Sequence, residues 1–169
     1  MADKLVKLRP VSEATLTTES GISTGQQMVL PITGLSTGVG LAIDRSEYIY
    51  VSDYAKHVIY RYRRGATASQ IFAGAYNQSG NKDGQGSVAR FNAPAALCVD
   101  KSGRVWIVDS GNALIRRMDP NGNVFTVAAI PAADAAQIGG IAVDDSENLY
   151  YVTSTGATSS PFNAAPYSL

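Results

Sequence analysis

Carboxylates that recur at fixed spacing are the residues of this sequence best suited to chemistry. Asp44, Asp100 and Asp144 each follow a short apolar run, at intervals of 56 and 44 residues. Carboxylate oxygens that converge on a central opening could bind a calcium ion, as a metal-dependent hydrolase requires. Each Asp, however, precedes a polar pair that contains Ser, and such side chains accept hydrogen bonds from backbone amides in tight turns. We expect a structural role, and hydrogen bonds to their own turns would decide against a metal site.

The other residue types used in catalysis are scarce. His57 is the only histidine and Cys98 the only cysteine, which excludes an internal disulfide and any centre built from several histidines or cysteines. We expect His57 at the surface and Cys98 as a small buried apolar residue. The nucleophile-elbow, zinc-protease and dithiol motifs do not occur. The sequence therefore predicts a protein that is not an enzyme, with no catalytic residue, metal ligand or cofactor.

Arginines interleave with tyrosines on an outer strand of the first copy, and two further arginines lie on the matching strand of the second copy. A basic face of this kind could stack on RNA bases or meet an acidic partner. The alternative is that outer strands simply expose long cationic side chains to water. The net charge is zero, with 14 basic and 14 acidic residues, so general attraction to nucleic acid is not expected. The members of this candidate patch are Arg61, Arg63, Arg64, Arg116 and Arg117.

A threefold repeat positions these residues. Residues 40–51, 96–107 and 140–151 each contain a short apolar run, an Asp, a polar pair and a second apolar run with an aromatic side chain. Periods of this size are typical of propellers and solenoids. Four short strands per complete copy describe a propeller blade, so we predict an all-β fold. The predicted strands are 41–44, 48–53, 57–62 and 69–73 in the first copy, 96–100, 104–109, 113–118 and 123–129 in the second, and 141–144 and 148–153 in the third.

The second copy carries the most recognisable motifs. Residues 94–100 read PAALCVD, 102–109 SGRVWIVD, 111–118 GNALIRRM and 121–129 NGNVFTVAA. Together with the long connection that precedes them, they resemble the NHL-repeat family of β-propellers. The resemblance covers roughly residues 25–153 and implies a partial NHL-type propeller of about two and a half to three four-stranded antiparallel blades. Lyases with such propellers hold zinc through several histidines, which this sequence lacks.

The long connection between the first two blades is the expected contact region for an alternative function. In that alternative the protein is a binding module that takes a peptide, glycan or RNA on its loop face. A metal-dependent propeller hydrolase or lyase is a second, less favoured alternative. The candidate interaction residues of this loop are Tyr76, Asn77, Lys82, Asp83 and Arg90.

About three blades cannot close a ring, because closed propellers have four to eight. Residues 26–33 resemble a strand ahead of the first blade, and the tail at 156–169 could add an outer strand. We expect a homodimer in which each N-terminal strand completes a composite blade of the partner, giving a six-bladed ring. The alternatives are a fragment of a longer propeller and an arc capped by an unrelated subunit.

The predicted division is an N-terminal extended arm at 1–24, NHL-like blades at 25–153 and a C-terminal tail at 154–169. The arm is expected to be either disordered or docked on a neighbouring subunit. Neither a signal peptide nor a membrane span is visible, which leaves the compartment of a soluble protein unknown. The predicted function is a structural or interaction subunit of a larger complex, with a bacteriophage virion (as a decoration, tail or attachment protein) as one setting.

Overall fold

Short strands separated by tight turns form almost all of the regular structure. The computed structural model describes residues 32, 34–64 and 66–154, together with the backbone of strands at 7–9, 14–17, 28–30 and 162–163. These strands form four antiparallel sheets. No helix in the described part of the chain has the length and apolar character needed to cross a membrane.

The first sheet lies in the N-terminal segment. Its strands are β1 (Lys7–Arg9), β2 (Ala14–Thr17) and β3 (Met28–Leu30), in the order β1-β2-β3. The strand predicted ahead of the first blade is present as β3, and it pairs with β2 of its own chain. The segment predicted as an extended arm therefore contributes two strands to a sheet. The rest of residues 1–24 lies outside the described residues, so the proposed arm boundary stays a prediction.

The next two sheets are blades 1 and 2. Blade 1 contains β4 (Gly38–Ile43), β5 (Tyr48–Asp53), β6 (Val58–Arg63) and β7 (Gln70–Ala73), in that order. Blade 2 contains β9 (Pro94–Val99), β10 (Val105–Asp109), β11 (Leu114–Met118) and β12 (Asn123–Ala129), with the short strand β8 (Gly84–Gln85) added at its outer edge. The prediction of four antiparallel strands per complete copy is confirmed.

Blade 3 follows a short connection that includes the helix α1 (Ala132–Ala135). Its strands are β13 (Ile138–Val143), β14 (Asn148–Thr153) and β15 (Phe162–Asn163), in that order. The tail thus supplies the additional outer strand predicted for it. The remaining residues of the tail lie outside the described part of the chain.

The inner strands of the blades lie side by side. β9 contacts β4 on one side and β13 on the other. A Cβ built on Gly40 would lie 2.2 Å from the Ala95 carbonyl oxygen, so only glycine permits this approach of β4 to β9. Ser52 links the same strands, because its hydroxyl accepts from the Gly40 amide at 2.8 Å and donates to the Ala95 carbonyl at 2.6 Å.

Three buried apolar clusters pack the sheets. One lies between blades 1 and 2 and includes Tyr50 and Phe91; another lies between blades 2 and 3 and includes Trp106 and Tyr151. The third covers the opposite face of blade 1 and includes Tyr60. The middle strands β5 and β10 are therefore buried on both faces, as their continuous apolar runs require. The fold is a partial β-propeller whose ring is not closed within the chain.

Candidate functional site

The recurring carboxylates bind their own turns. Asp100 accepts the amides of Ser102 and Arg104 at 2.9 and 3.0 Å through one oxygen, and the indole N–H of Trp106 at 3.0 Å through the other. Asp44 and Asp144 accept the amides two and four residues further along in the same way. The structural interpretation of these residues is confirmed. Among the described residues, no three His, Cys, Asp or Glu side chains are grouped so as to hold a metal ion.

The turn also fixes the charge of Asp100. Burial by itself raises the pKa of this carboxyl, but the hydrogen bonds from the Arg104 amide, the Trp106 indole and the Arg104 guanidinium outweigh burial and lower the pKa below its usual value. Arg104 also reaches Glu147 of blade 3 at 2.6 Å. The carboxylate is therefore a charged anchor at the junction of two blades.

A second pair of carboxylates ties each blade to the chain segment that enters it. Asp53 accepts the amides of Ser36 and Thr37 at 2.7 and 3.1 Å. Asp109 accepts the amide of Asn92 at 2.7 Å in the equivalent way. Both carboxylates are fully buried. The turn role predicted for Asp53 and Asp109 is confirmed. Each carboxylate also accepts a backbone amide that lies 16 or 17 residues upstream.

Arg116 is buried, which corrects the expectation of an outward-facing side chain. Its guanidinium donates to Asp109 at 2.9 Å, to Asp83 at 2.7 Å and to the Lys82 carbonyl at 3.0 Å. It also lies 5.3 Å from the centre of the Phe91 ring. Its side chain is 0% exposed, so it cannot contact RNA or a partner protein. The physical reason is that β11 packs between two blades, where both faces of a strand are covered.

The remaining arginines of the candidate patch separate into two groups. Arg61 stacks on Phe72 and Tyr48, with its guanidinium 3.6 and 4.8 Å from the ring centres. Arg117, at the equivalent place in blade 2, lies 5.8 Å from the Trp106 ring. Arg63 and Arg64 are exposed, and Arg64 pairs with Glu47 at 3.5 Å. A role in binding RNA or an acidic partner stays a prediction for these four residues.

Most of the predicted interaction loop holds the fold together. Asp83 bridges Arg116 and the amide and hydroxyl of Thr126. The Lys82 carbonyl accepts from the Arg90 amide at 2.9 Å, and the Arg90 guanidinium donates to carbonyls of its own turn. Asn77 occupies a turn with φ 60°. Tyr76 differs from these residues, because it is 42% exposed and faces an open cleft.

His57 and Cys98 have structural surroundings. The His57 Nδ1 accepts the amide of Ala93 at 3.0 Å, a bond that links blade 1 to the segment entering blade 2. Burial, followed by the charge of Asp100, raises the pKa of the Cys98 thiol to about 12. Cys98 is therefore a neutral thiol, unsuited to nucleophilic chemistry.

A cleft of about 420 Å³ opens on blade 1, and we call it the tyrosine cleft. It is lined by Gly34, Tyr60, Ser69, Ile71 and Tyr76. The Tyr60 and Tyr76 hydroxyls both lie beside Gly34, where a Cβ would be 3.7 and 3.9 Å from them. The sequence did not reveal this cleft. The available signal was a difference between copies, since Gly34 and Tyr60 stand 56 residues before Arg90 and Arg116.

Residues 91–118 match the family model of the NHL repeat. The chain contains an NHL repeat. The matched residues include the first three strands of blade 2, so the resemblance stated above is confirmed where the motifs are most complete. No curated protein sequence matches the chain.

Solved structures share the propeller fold of this chain at low sequence identity. An auxiliary nutrient binding protein from Bacteroides thetaiotaomicron aligns with a TM-score of 0.64 and 20% identity, over 83% of this chain and 40% of that one. Virginiamycin B lyase from Staphylococcus aureus aligns with a TM-score of 0.59 and 14% identity, over 90% of this chain and 49% of that one. A chain of a nidogen–laminin complex aligns with a TM-score of 0.62 and 13% identity, over 94% of this chain and 60% of that one. This chain thus spans about half the length of these structures.

Proposed function

We propose that the protein is a non-enzymatic interaction subunit whose partial propeller is completed by a second copy, giving a six-bladed ring. The proposal rests on one observation, which is that the outer face of blade 3 exposes positions that are buried in the other two blades. It does not include a bacteriophage virion, since no feature of the described structure points to one.

The same repeat position has three different environments. Tyr50 is 2% exposed because blade 2 covers it, and Trp106 is fully buried because blade 3 covers it. Tyr150 stands at the equivalent place in blade 3 and is 42% exposed. Two residues further along, Val108 is 0% exposed and Val152 is 51% exposed. Blade 3 therefore presents an apolar face shaped for another blade.

At the opposite end of the arc, the middle strands of blade 1 are covered within the chain, but the inner strand β4 exposes apolar side chains. On β4, Ala42 faces blade 2, while Val39 and Ile43 lie 52% and 58% exposed. A second copy presents both ends at once, so two contacts related by a twofold axis close the ring. Counting blades 1 to 3 of each chain, without the N-terminal sheet, two chains give six blades, within the four to eight that close. Donation of an N-terminal strand to the partner stays a prediction, since β3 pairs with β2 of its own chain.

Binding fits the site better than catalysis does. Among the proteins of similar fold, one binds a nutrient, one is a lyase and one belongs to a protein complex, so the propeller itself serves either purpose. In this chain the recurring Asp44, Asp100 and Asp144 are engaged by their own turns. That engagement is why we favour an interaction subunit.

Sedimentation equilibrium of the whole chain, between about 1 and about 100 μM, tests the proposal. We expect twice the chain mass of 17.8 kDa. Tyr150→Lys should weaken the dimer at least about tenfold, because burying a large apolar side chain contributes about 1.5–3 kcal/mol. The control is Tyr54→Lys, which changes a tyrosine that is 44% exposed in the β5–β6 turn. A chain that sediments as a monomer, or equal effects of the two variants, would contradict the dimer.

A further inference from the structure

The tyrosine cleft is open at a place that is filled in blade 2. There, Arg116 occupies the position equivalent to Tyr60, and it donates to the carbonyl of Arg90, the residue equivalent to Gly34. The loop residue Asp83 completes that packing. In blade 1 a glycine and a tyrosine replace the two arginines, and a cleft results. Its volume of about 420 Å³ lies in the range of ligand sites.

The Tyr60 hydroxyl opens into the cleft. Tyr60 is 4% exposed and lines the cleft. No residue in the described part of the chain hydrogen-bonds to this hydroxyl, although it is not sealed from solvent. Burial, then the negative charge of Asp53, raises the pKa of Tyr60 to about 12. The hydroxyl is therefore protonated at neutral pH and can donate a hydrogen bond into the cleft.

The lining determines the chemistry of the ligand. No charged side chain is among its described residues, so the ligand surface that enters is neutral. The walls are the ring of Tyr76 and the side chain of Ile71, which are 42% and 41% exposed. The hydrogen-bonding side chains are the hydroxyls of Tyr60, Tyr76 and Ser69. The carboxylates or amides that would chelate neighbouring sugar hydroxyls are missing from this described lining.

We propose that the tyrosine cleft binds a proline-rich peptide in the polyproline II conformation. Such a segment has no internal hydrogen bonds, so its carbonyls need external donors, and its rings pack against aromatic side chains. The Tyr60 hydroxyl donates to one peptide carbonyl, and a proline ring packs between Tyr76 and Ile71. The Lys56 ammonium lies 5.2 Å from the centre of the Tyr76 ring, which helps to hold that ring in place. The inference goes beyond the proposed dimer and requires that the cleft stay open in it.

The test is NMR titration of the whole chain, with ¹³C-labelled tyrosine, against a decaproline peptide. Of nine tyrosines, Tyr60 and Tyr76 should shift and saturate. Tyr60→Phe should weaken binding about fivefold, the loss expected for one neutral hydrogen bond. Tyr62→Phe is the matched control, because it removes a hydroxyl from the same strand, one that donates to the Ala66 carbonyl at 2.7 Å. That control should leave the affinity unchanged.

Other outcomes would overturn the proposal. They are no saturable shift with decaproline, equal binding of a Gly-Ser peptide of the same length, an unchanged affinity of Tyr60→Phe, and a cleft that takes maltohexaose instead of decaproline. Thermal melting of the unliganded variants provides a separate check. Tyr60→Phe should not lower the melting temperature, whereas Tyr62→Phe should. Equal losses would show that the Tyr60 hydroxyl already has an internal partner.

Discussion

Replacing Arg116 with methionine is the sharpest test of how blade 2 is held together. The change keeps an apolar stem of similar length but removes the guanidinium that pairs with Asp109 at 2.9 Å and with Asp83 at 2.7 Å. Asp109 is 0% exposed and would then be a buried carboxylate without its cation. Breaking a buried pair in this way costs about 3–5 kcal/mol.

The size of the effect follows from the difference in burial between the two carboxylates. Asp83 is 47% exposed, so water compensates for most of its lost pairing. Burial raises the pKa of Asp109, against the donors Asn112, Asn92 and Arg116 that lower it. Without Arg116 the pKa of Asp109 rises further, and protonation of this carboxyl then offsets part of the lost stability. We therefore expect the loss of stability to grow as the pH rises from about 5 to about 8.

Urea denaturation followed by circular dichroism measures this cost. A loss of about 4 kcal/mol at a slope of about 2 kcal/mol per molar urea lowers the midpoint by about 2 M. The matched control is Arg117→Met, whose ring contacts of 5.8 and 6.0 Å are worth about 0.5–1 kcal/mol. The double variant Arg116→Met with Asp109→Leu should recover part of the loss, because no charge is then left buried. An Arg116→Met variant no less stable than Arg117→Met would refute the reasoning.

Two further predictions concern the turns and the centre of the fold. The folded-state pKa of Asp100 is lowered, so the stability that this carboxylate contributes is present above the unfolded pKa of about 3.9 and is lost as the pH falls through the folded pKa. Asp100→Asn should therefore reduce the drop in melting temperature that acid causes below about pH 4. Gly40→Ala should lower the free energy of unfolding by at least about 2 kcal/mol, because its Cβ would collide with the Ala95 carbonyl oxygen. The control is Gly139→Ala, whose Cβ would have no atom within 4 Å and which should cost under about 0.5 kcal/mol in the same urea titration.

The sequence predicted the middle strands best. The ranges predicted for β5 and β14 agree with the observed Tyr48–Asp53 and Asn148–Thr153, since both are apolar runs bounded by turn residues. Inner strands begin two or three residues earlier than predicted. β4 starts at Gly38 and β13 includes two glycines, and glycine is a poor strand signal. In β4 the close approach of β9 requires the glycine at position 40.

The candidate site was harder to predict because contacts, rather than residue types, determine it. Alternation along β11 cannot separate a buried Arg116 from a partly exposed Arg117, since β11 has a blade on each side. The carboxylate turns were predictable, because their hydrogen bonds are local. The tyrosine cleft depends on the contrast between Tyr60 and Arg116 at one repeat position, and that contrast has meaning only once the loop around Arg116 is known to fill the space.

The hydrogen bonds that Asp53 and Asp109 accept from amides upstream of each blade define where a functional module begins. Each carboxylate holds the chain just before the innermost strand, at Ser36 and at Asn92. A cut placed at a strand start, such as Gly38 or Pro94, would remove these donors and leave each buried carboxylate with fewer hydrogen bonds. The transferable unit for building longer or shorter propellers is therefore a blade together with its entering segment. Engineered arrays of this repeat should be joined upstream of those amides.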